Sequence, residues 1–533
     1  MPEAPQRAGP GRARPAGHRL AFILRLVALV IAGVAACGCA TLPPLEGRTQ
    51  SRAATDTNGT RLGRALVPRV APHPGLSGIH PLADSLDAFA ARSLLARAAD
   101  RTLDVQYYIW HDDISGTLLF DALREAAERG VRVRLLLDDH GSRGIDDTLA
   151  ALDAHPNMEV RLFNPLVPRQ ARMIGYLTDF SRTNRRMHNK SFTADNQATI
   201  VGGRNVGDEY FGAASGVLYA DLDVLAVGPV VKEVSSDFDR YWSSASAYPA
   251  DRLFPAATPA QLEQLAAAAG RLESDPAALG YVQRVRQSGF ATDLLENRLA
   301  MEWAPVRMVS DDPAKALSEA EPEGNLTYEL RQIIGEPREK IDLVSAYFVP
   351  TAAGVAAFAA HVRRGVEVAI LTNALEATDV AVVHAAYAKR RKDLLEAGVK
   401  LFELRLQHAS AADHERSLVS GGSSGSSLHA KTFSVDSERV FIGSFNFDPR
   451  SMHLNTELGF VIESQVLAQR IRSVLEQQLP ERAYRVMLSD EGELYWLEWR
   501  GSDVVRHDVE PGTSIWLRAG VWFMSLLPIE WML

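Results

Sequence analysis

The chain has 533 residues, a formal net charge of −9, and is 46% apolar and 23% charged, an ordinary globular balance with room for one or two buried cores. Its two cysteines, Cys37 and Cys39, both stand near the N-terminus, so disulfide and thiol chemistry are excluded from the rest of the chain. An acidic body also lacks the broad basic footprint of a nucleic-acid binder.

Residues 1–38 read as an address. Arg7, Arg12, Arg14 and Arg19 precede an apolar run from Leu20 to Ala36, interrupted only by Arg25. The run ends in Val34-Ala35-Ala36-Cys37-Gly38-Cys39-Ala40. This is a signal-peptide layout whose Cys ending resembles a bacterial lipoprotein signal, with Cys39 or Cys37 as the lipidated residue. An uncleaved anchor is the alternative. Either reading predicts a cell-envelope protein held at a bacterial membrane and facing the periplasm. Neither Cys is followed by Asp, which favours the outer membrane over the inner. Residues 1–38 hold five Arg and one Glu, so their removal takes the net charge from −9 to about −13.

Residues 39–82, rich in Pro, Gly, Thr and Arg, are expected to be a tether. A helix is predicted to start at Asp84 or Ser85 and to run through Ala99. Leu103–Trp110 reads as a buried strand, 116–129 as a helix stopped by Gly130, and Val131–Leu137 as a second strand. A helix around Asp147 and a strand at Val160–Phe163 follow. A hairpin is then expected from His188 to Val201, completing a first unit over residues 83–250. The Ala-rich stretch near 256–298 predicts a helical connection over 251–335. Residues 336–490 then repeat the order. Ile341-Asp342-Leu343 matches Leu103-Asp104-Val105, Arg364-Gly365-Val366 matches Arg129-Gly130-Val131, and Val399-Lys400-Leu401-Phe402 matches Val160-Arg161-Leu162-Phe163. The near-constant offset marks an internal duplication, and strand–helix alternation predicts two α/β units around mixed sheets. Residues 491–533 are expected to form a tail.

His188-Asn189-Lys190 is followed by Asp195, Gly202-Gly203 and Asn205. His429-Ala430-Lys431 is followed at the same spacing by Asp436, Gly443-Ser444 and Asn446. A single His-x-Lys is ordinarily a surface pair. Two with the same tail inside a duplicated frame predict one site built from two halves, complete without a partner subunit. One imidazole can attack phosphorus while the other works as acid and then base. Residues i and i+2 of a strand share a face, so Lys190 and Lys431 are expected beside His188 and His429, with their charge on the non-bridging phosphate oxygens. Asn205 and Asn446, with Gly203 and Ser444, are candidate phosphate contacts. No ligand set accompanies the histidines, so neither metal nor cofactor is expected.

These strings resemble the phospholipase D superfamily, whose signature is the doubled motif. The likeness is closest to bacterial cardiolipin synthases of the C type in Tyr107-Tyr108-Ile109-Trp110, in Asn184–Phe192 and in Gly443–Ser451. The resemblance implies an α/β fold of two phospholipase D-like units about a pseudo-twofold axis, with the active site between them. It also implies metal-free phosphatidyl transfer through a covalent phospho-histidine, with His188 as nucleophile. A downstream carboxylate orients a His: Glu457 matches that position, and Asp223 is the counterpart expected in the first half. Asp195 and Asp436 belong to the motif but are often structural in the family. The expected partners are membrane phospholipids, phosphatidylglycerol and also phosphatidylethanolamine, with no nucleic acid. Cardiolipin synthesis is the leading activity, hydrolysis to phosphatidic acid the alternative, and a nuclease a more distant third.

Three further features stand out. Met173, Ile174, Tyr176, Leu177 and Phe180 have helical spacing and read either as an acyl-chain contact or as a core helix. The tail carries Trp516, Trp522 and Trp531, which suits either a membrane interface or packing onto the body. The Gly/Ser stretch 420–427 reads as a flexible connector or a lip over the site.

Overall fold

The computed structural model describes residues 42–213, 217–296, 298–406 and 425–533. The cysteines, the signal-like segment and most of the Gly/Ser stretch lie outside the described residues.

The strands of the first half are β1 (Ser77–Leu82), β2 (Thr102–Ile109), β3 (Arg132–Gly141), β4 (Met158–Phe163), β5 (Ser191–Ala194), β6 (Ala198–Gly202), β7 (Val217–Ala220), β8 (Asp223–Val227), β9 (Ala247–Pro249) and β10 (Glu302–Ala304). Those of the second are β11 (Val306–Ser310), β12 (Lys340–Ser345), β13 (Glu367–Asn373), β14 (Lys400–Leu404), β15 (Gly425–Leu428), β16 (Lys431–Val435), β17 (Arg439–Gly443), β18 (Leu458–Glu463), β19 (Ala483–Leu488), β20 (Leu494–Arg500) and β21 (Asp503–His507). One sheet runs β10-β1-β8-β6-β5-β2-β3-β4-β9 and the other β11-β18-β17-β16-β12-β13-β14-β19-β20-β21. In each, three central strands are parallel and the rest antiparallel. From β8 to β9 and from β18 to β19 the orders correspond strand for strand, so the predicted duplication is a structural one.

Side-chain alternation packs the halves together. On β8, Leu225 and Val227 point to the helices of their own half, while Val224 and Ala226 point to the other sheet. On β17, Phe441 faces its own core and Val440 and Ile442 face across. The resulting apolar layer buries both inner faces, as face-packed sheets require.

Three boundaries differ from expectation. Residues 39–82 are not a tether where they are described: Thr60 caps the helix Arg61–Val70, and β1 lies inside the first sheet between β8 and β10. The connection contains the expected helices Pro259–Leu272, Pro276–Arg286 and Gly289–Leu295, but it also holds β10 and β11, which add one strand to each sheet before a last helix, Leu326–Ile334. The tail contributes β20 and β21 to the second sheet before its helix Ile515–Ser525. Strands at or beside a sheet edge, such as these, find their places through pairing with a neighbour, which local pattern does not report.

Candidate active site

Each His-x-Lys segment ends at the start of a hairpin strand and is tied to the opposite half. His188 N donates to Thr456 O (2.9 Å), and Thr456 N donates to Arg186 O (2.9 Å). His429 N and Ala430 N donate to Ala220 O at 2.8 and 3.1 Å, and β15 pairs with β7 in parallel. The halves therefore exchange backbone hydrogen bonds at the residue preceding each orienting acid.

Those acids are crossed. His188 Nδ1 donates to Glu457 Oε2 at 2.8 Å, and His429 Nδ1 donates to Asp221 Oδ2 at 2.6 Å. Each imidazole thereby carries its proton on Nδ1 and keeps the Nε2 lone pair, which in His429 has Lys431 Nζ 3.3 Å away. The first-half acid is Asp221, not Asp223. Register explains the difference. Gly202 pairs with Asp223, while its repeat equivalent Gly443 pairs with Gly459, so two residues earlier Asp221 stands where Glu457 stands. Asp223 instead meets Arg92 at 2.8 Å and Arg204 at 3.3 Å in a buried ion cluster.

The lysines sit where spacing predicts. Lys190 Nζ donates to His188 O at 2.5 Å, and Lys431 Nζ lies 3.1 and 3.3 Å from the two ring nitrogens of His429. Both are buried. Tyr108 and Tyr347, equivalent in the repeat, flank the two centres. Tyr108 lies 5.0 Å from the His188 ring and 5.4 Å from Lys190 Nζ; Tyr347 lies 6.5 Å from the His429 ring and 5.9 Å from Lys431 Nζ. Tyr210 and Tyr219 add rings at 5.1 Å from His429, and Tyr219 and Tyr347 both donate to Asp379. The tyrosines and Asp221 were missed as site residues; Tyr108 and Tyr347 were traceable through the repeat offset.

The remaining motif residues support the frame. Asp195 accepts from the backbone of Asp100, Arg101 and Thr102, and Asp436 from Arg338, Glu339 and Lys340. Each anchors the entry to a central strand from a turn at positive φ and touches neither histidine. Asn205 is a clamp: Oδ1 accepts from Ile109 N and Nδ2 donates to the Tyr210 hydroxyl. Asn446 is buried, with Oδ1 making no hydrogen bond among the described residues. Ser444 Oγ donates to Glu457 Oε2. A Cβ on Gly203 would stand 2.2 Å from Asp221 Oδ1, so only glycine leaves room for the acid.

The two halves differ electrostatically. Burial raises Glu457 to about 7 despite Lys190 nearby. Burial and the charges of Lys190 and Lys431 push His188 well below its ordinary value. Burial would raise Asp221 too, but His429, Lys431 and Arg204 outweigh it and hold its carboxyl below the usual range. His429 is lowered by burial and Lys431, with Asp221 opposing. Burial lowers both lysines, Lys190 well below its ordinary value. The site thus holds a neutral imidazole beside a near-neutral acid, and a second imidazole beside a firm anion. The cluster His111, Asp113 and Glu209 brings possible metal-ligand atoms within 4.8 Å of one another but contains neither motif histidine. Both Asp113 oxygens in it already accept from backbone N–H groups of Gly116 and Asp208.

A family model described as "Cardiolipin synthase, PLD-like domain" matches residues 92–242 and 330–479, one copy per half. Cardiolipin synthase C of Escherichia coli (strain K12) is 51% identical over 474 residues, covering 89% of this chain and all of that protein. The chain belongs to the phospholipase D superfamily. Within that superfamily it is also 27% identical to cardiolipin synthase A of Pseudomonas syringae pv. syringae (strain B728a), over 77% of this chain and 70% of the relative. The crystal structure of phosphatidylserine synthase from Haemophilus influenzae Rd KW20 shares the fold, with a TM-score of 0.52 and 17% identity, covering 80% of this chain and 92% of that one. Among the described residues no helix is long and apolar enough to cross a membrane.

Proposed function

We propose that this phospholipase D-superfamily enzyme is a membrane-associated phosphatidyltransferase that makes cardiolipin. The observation that carries this reading is the crossed pairing of His188 with Glu457 and His429 with Asp221. It makes two half-motifs into one bifunctional centre within a chain similar to cardiolipin synthase C along its length.

His188, neutral and with Nε2 free, attacks the phosphorus of a donor phospholipid. A P–N bond forms, the P–O bond to the headgroup alcohol breaks, and His429 gives that oxygen its proton. Asp221 supports this role by stabilising the imidazolium, much as a buried Asp serves a catalytic His elsewhere. The phosphodiester supplies negative charge between Lys190 and Lys431, which favours their ammonium forms and the imidazolium form of His429, the proton donor, while burial keeps His188 neutral for attack. The headgroup alcohol leaves. The hydroxyl of phosphatidylglycerol then attacks phosphorus, His429 takes its proton, and the P–N bond breaks to release cardiolipin. Water in place of the lipid alcohol yields phosphatidic acid. Both histidine side chains are at most 8% exposed, and such closure favours transfer over hydrolysis. Phosphatidylglycerol, and phosphatidylethanolamine as a second donor, are the proposed substrates. Lipidation at Cys39 or Cys37 and a periplasm-facing location at the outer membrane are proposed from the N-terminal sequence.

The test supplies labelled phosphatidylglycerol, with and without phosphatidylethanolamine, to membranes holding the protein. Cardiolipin from wild type, and none from His188→Ala or His429→Ala, is the expected result. Phosphatidic acid as sole product makes the enzyme a hydrolase. Unchanged turnover in both variants overturns the mechanism. A ³²P-labelled donor trapped on wild type and His429→Ala, but not on His188→Ala, assigns the nucleophile.

A further inference from the structure

The described surface carries two runs of exposed large apolar side chains, one from each half. In the first, the helix Arg172–Thr178 and the turn Phe180–Thr183 present Met173 (68% exposed), Leu177 (72%) and Phe180. In the second, the helix Ile515–Ser525 buries Val521 against Leu375 and Ala385 and presents Ile515, Trp516 (83%), Trp522 (65%) and Phe523. Trp531 follows, also exposed. Single exposed apolar residues need no explanation, but grouped ones mark a contact surface.

The runs converge on one residue. Arg450 N donates to Leu533 O (2.7 Å) and Arg450 Nε to Met532 O (3.0 Å). Its guanidinium also donates to Asn184 O (3.0 Å) and Oδ1 (2.8 Å). Asn184 directly follows the turn Phe180–Thr183, and its side chain also accepts from the Tyr176 hydroxyl (3.4 Å). Arg450 itself lies four residues beyond Asn446. On the other flank Leu533 packs into the cluster of Val349, Val383 and Tyr347, whose ring stands by His429. Both apolar runs are therefore fastened to the segments that carry the site. Nearby, Arg185 donates to the His453 carbonyl and adds a basic group at the junction.

We propose that the two runs form one membrane-docking rim around the mouth of the site, so that lipid passes sideways from the bilayer to His188 and His429. This rests on the lipid-transfer reading. The occupant is a bilayer surface and not a second copy of the chain, because three exposed tryptophans on a short helix and the residues after it, with Arg185 at the junction, suit the boundary between acyl chains and lipid phosphates. An 11-residue helix is roughly 16 Å long, about half a hydrocarbon core, so Ile515–Ser525 lies in the interface and does not span it. Tryptophan favours that level.

Full-length protein in vesicles of phosphatidylglycerol and phosphatidylethanolamine with brominated acyl chains tests the rim. Bromine is expected to quench tryptophan fluorescence, and Trp516→Phe/Trp522→Phe/Trp531→Phe is expected to remove that quenching, although five of the eight tryptophans remain. Separately, Met173→Ser/Leu177→Ser is expected to raise KM for vesicle substrate at least tenfold, with kcat on a short-chain soluble diester within twofold of wild type. Quenching that survives the triple substitution overturns the proposal, as does equal loss on both substrates. A dimer dissolved by these substitutions, with no quenching in wild type, assigns the surface to a second copy and also overturns it. Failure of wild type to turn over any lipid sinks the transfer reading and leaves the quenching result to judge the rim alone.

Discussion

Asp221→Asn removes one charge from a buried pair and keeps its shape. The carboxylate stands 2.6 Å from His429 Nδ1 and is held ionised by His429, Lys431 and Arg204 against the effect of burial. Two unit charges about 4 Å apart interact by roughly 4 kcal/mol at an effective dielectric near 20. At about 1.4 kcal/mol per tenfold, His429 keeps its proton some 10²- to 10³-fold less readily without the carboxylate. In the proposed reaction that proton is needed for leaving-group departure, so kcat should fall by a similar factor. Activity that requires a protonated group is lost as pH rises through its pKa. Lowering that pKa therefore moves the alkaline limb of the kcat–pH profile to lower pH. Phosphatidyl transfer from labelled phosphatidylglycerol, followed from pH 5 to 9, reads both effects. A kcat within about threefold of wild type, or an unmoved alkaline limb, refutes the role given to Asp221. Asp223→Asn is the companion variant. It strips the acid from Arg92 and Arg204, and breaking a buried pair costs about 3–5 kcal/mol, so its signature is a lowered Tm with an unmoved alkaline limb.

Gly203→Ala is expected to act as a steric version of Asp221→Asn, because the new Cβ falls 2.2 Å from the Asp221 carboxylate; normal kcat in a folded variant rules out the crowding. Glu457→Gln should trade activity for stability. Its carboxyl titrates near 7 when folded against an ordinary 4.5, so the folded state binds the extra proton between these values and wild type loses stability as pH rises through that window. The cost reaches about 3 kcal/mol at most, so the variant should gain on wild type in urea melts at pH 8 relative to pH 4.5 while kcat falls at least tenfold. Asp436→Ala should leave three backbone N–H donors without their carboxylate acceptor and lower Tm at pH 7 with activity per folded molecule retained. Because that carboxyl is held below its ordinary value by those contacts, outweighing partial burial, the deficit should shrink as pH falls through its folded value; a Tm deficit independent of pH contradicts this. Lys431→Met should cut kcat by about 10²-fold or more through the loss of charge at the phosphate, and a change confined to KM would argue that Lys431 only binds substrate.

The chemistry of this protein was legible in local strings. His188, Lys190, His429 and Lys431 declare themselves because strand periodicity places i and i+2 together and because duplication repeats the whole frame at a near-constant offset. Glu457 was reachable through the family pattern. The helices of the connection and the parallel core strands follow from apolar pattern and capping. Where structure departed from expectation, apart from the locally capped helix Arg61–Val70, the missing quantity was a long-range pairing. Asp221 and Asp223 are both acids two residues apart on one short segment, and only the register of β6 against β8 says which one faces the opposite half. β1, β10 and β21 are strands because a neighbour pairs with them, not because their own residues insist on it.

What the amino-acid sequence determined by itself is therefore the set of candidate reacting groups and the fact that there are two related halves. Only the tertiary structure decided that each half supplies the acid for the other half's histidine, that the motif aspartates brace backbone away from the site, and that Arg450 fastens two distant apolar segments beside it. The physical reason is one of range. Residue chemistry and periodicity are written within a few positions, whereas hydrogen bonds between residues 188 and 457 or 221 and 429 exist only once both sheets have packed face to face.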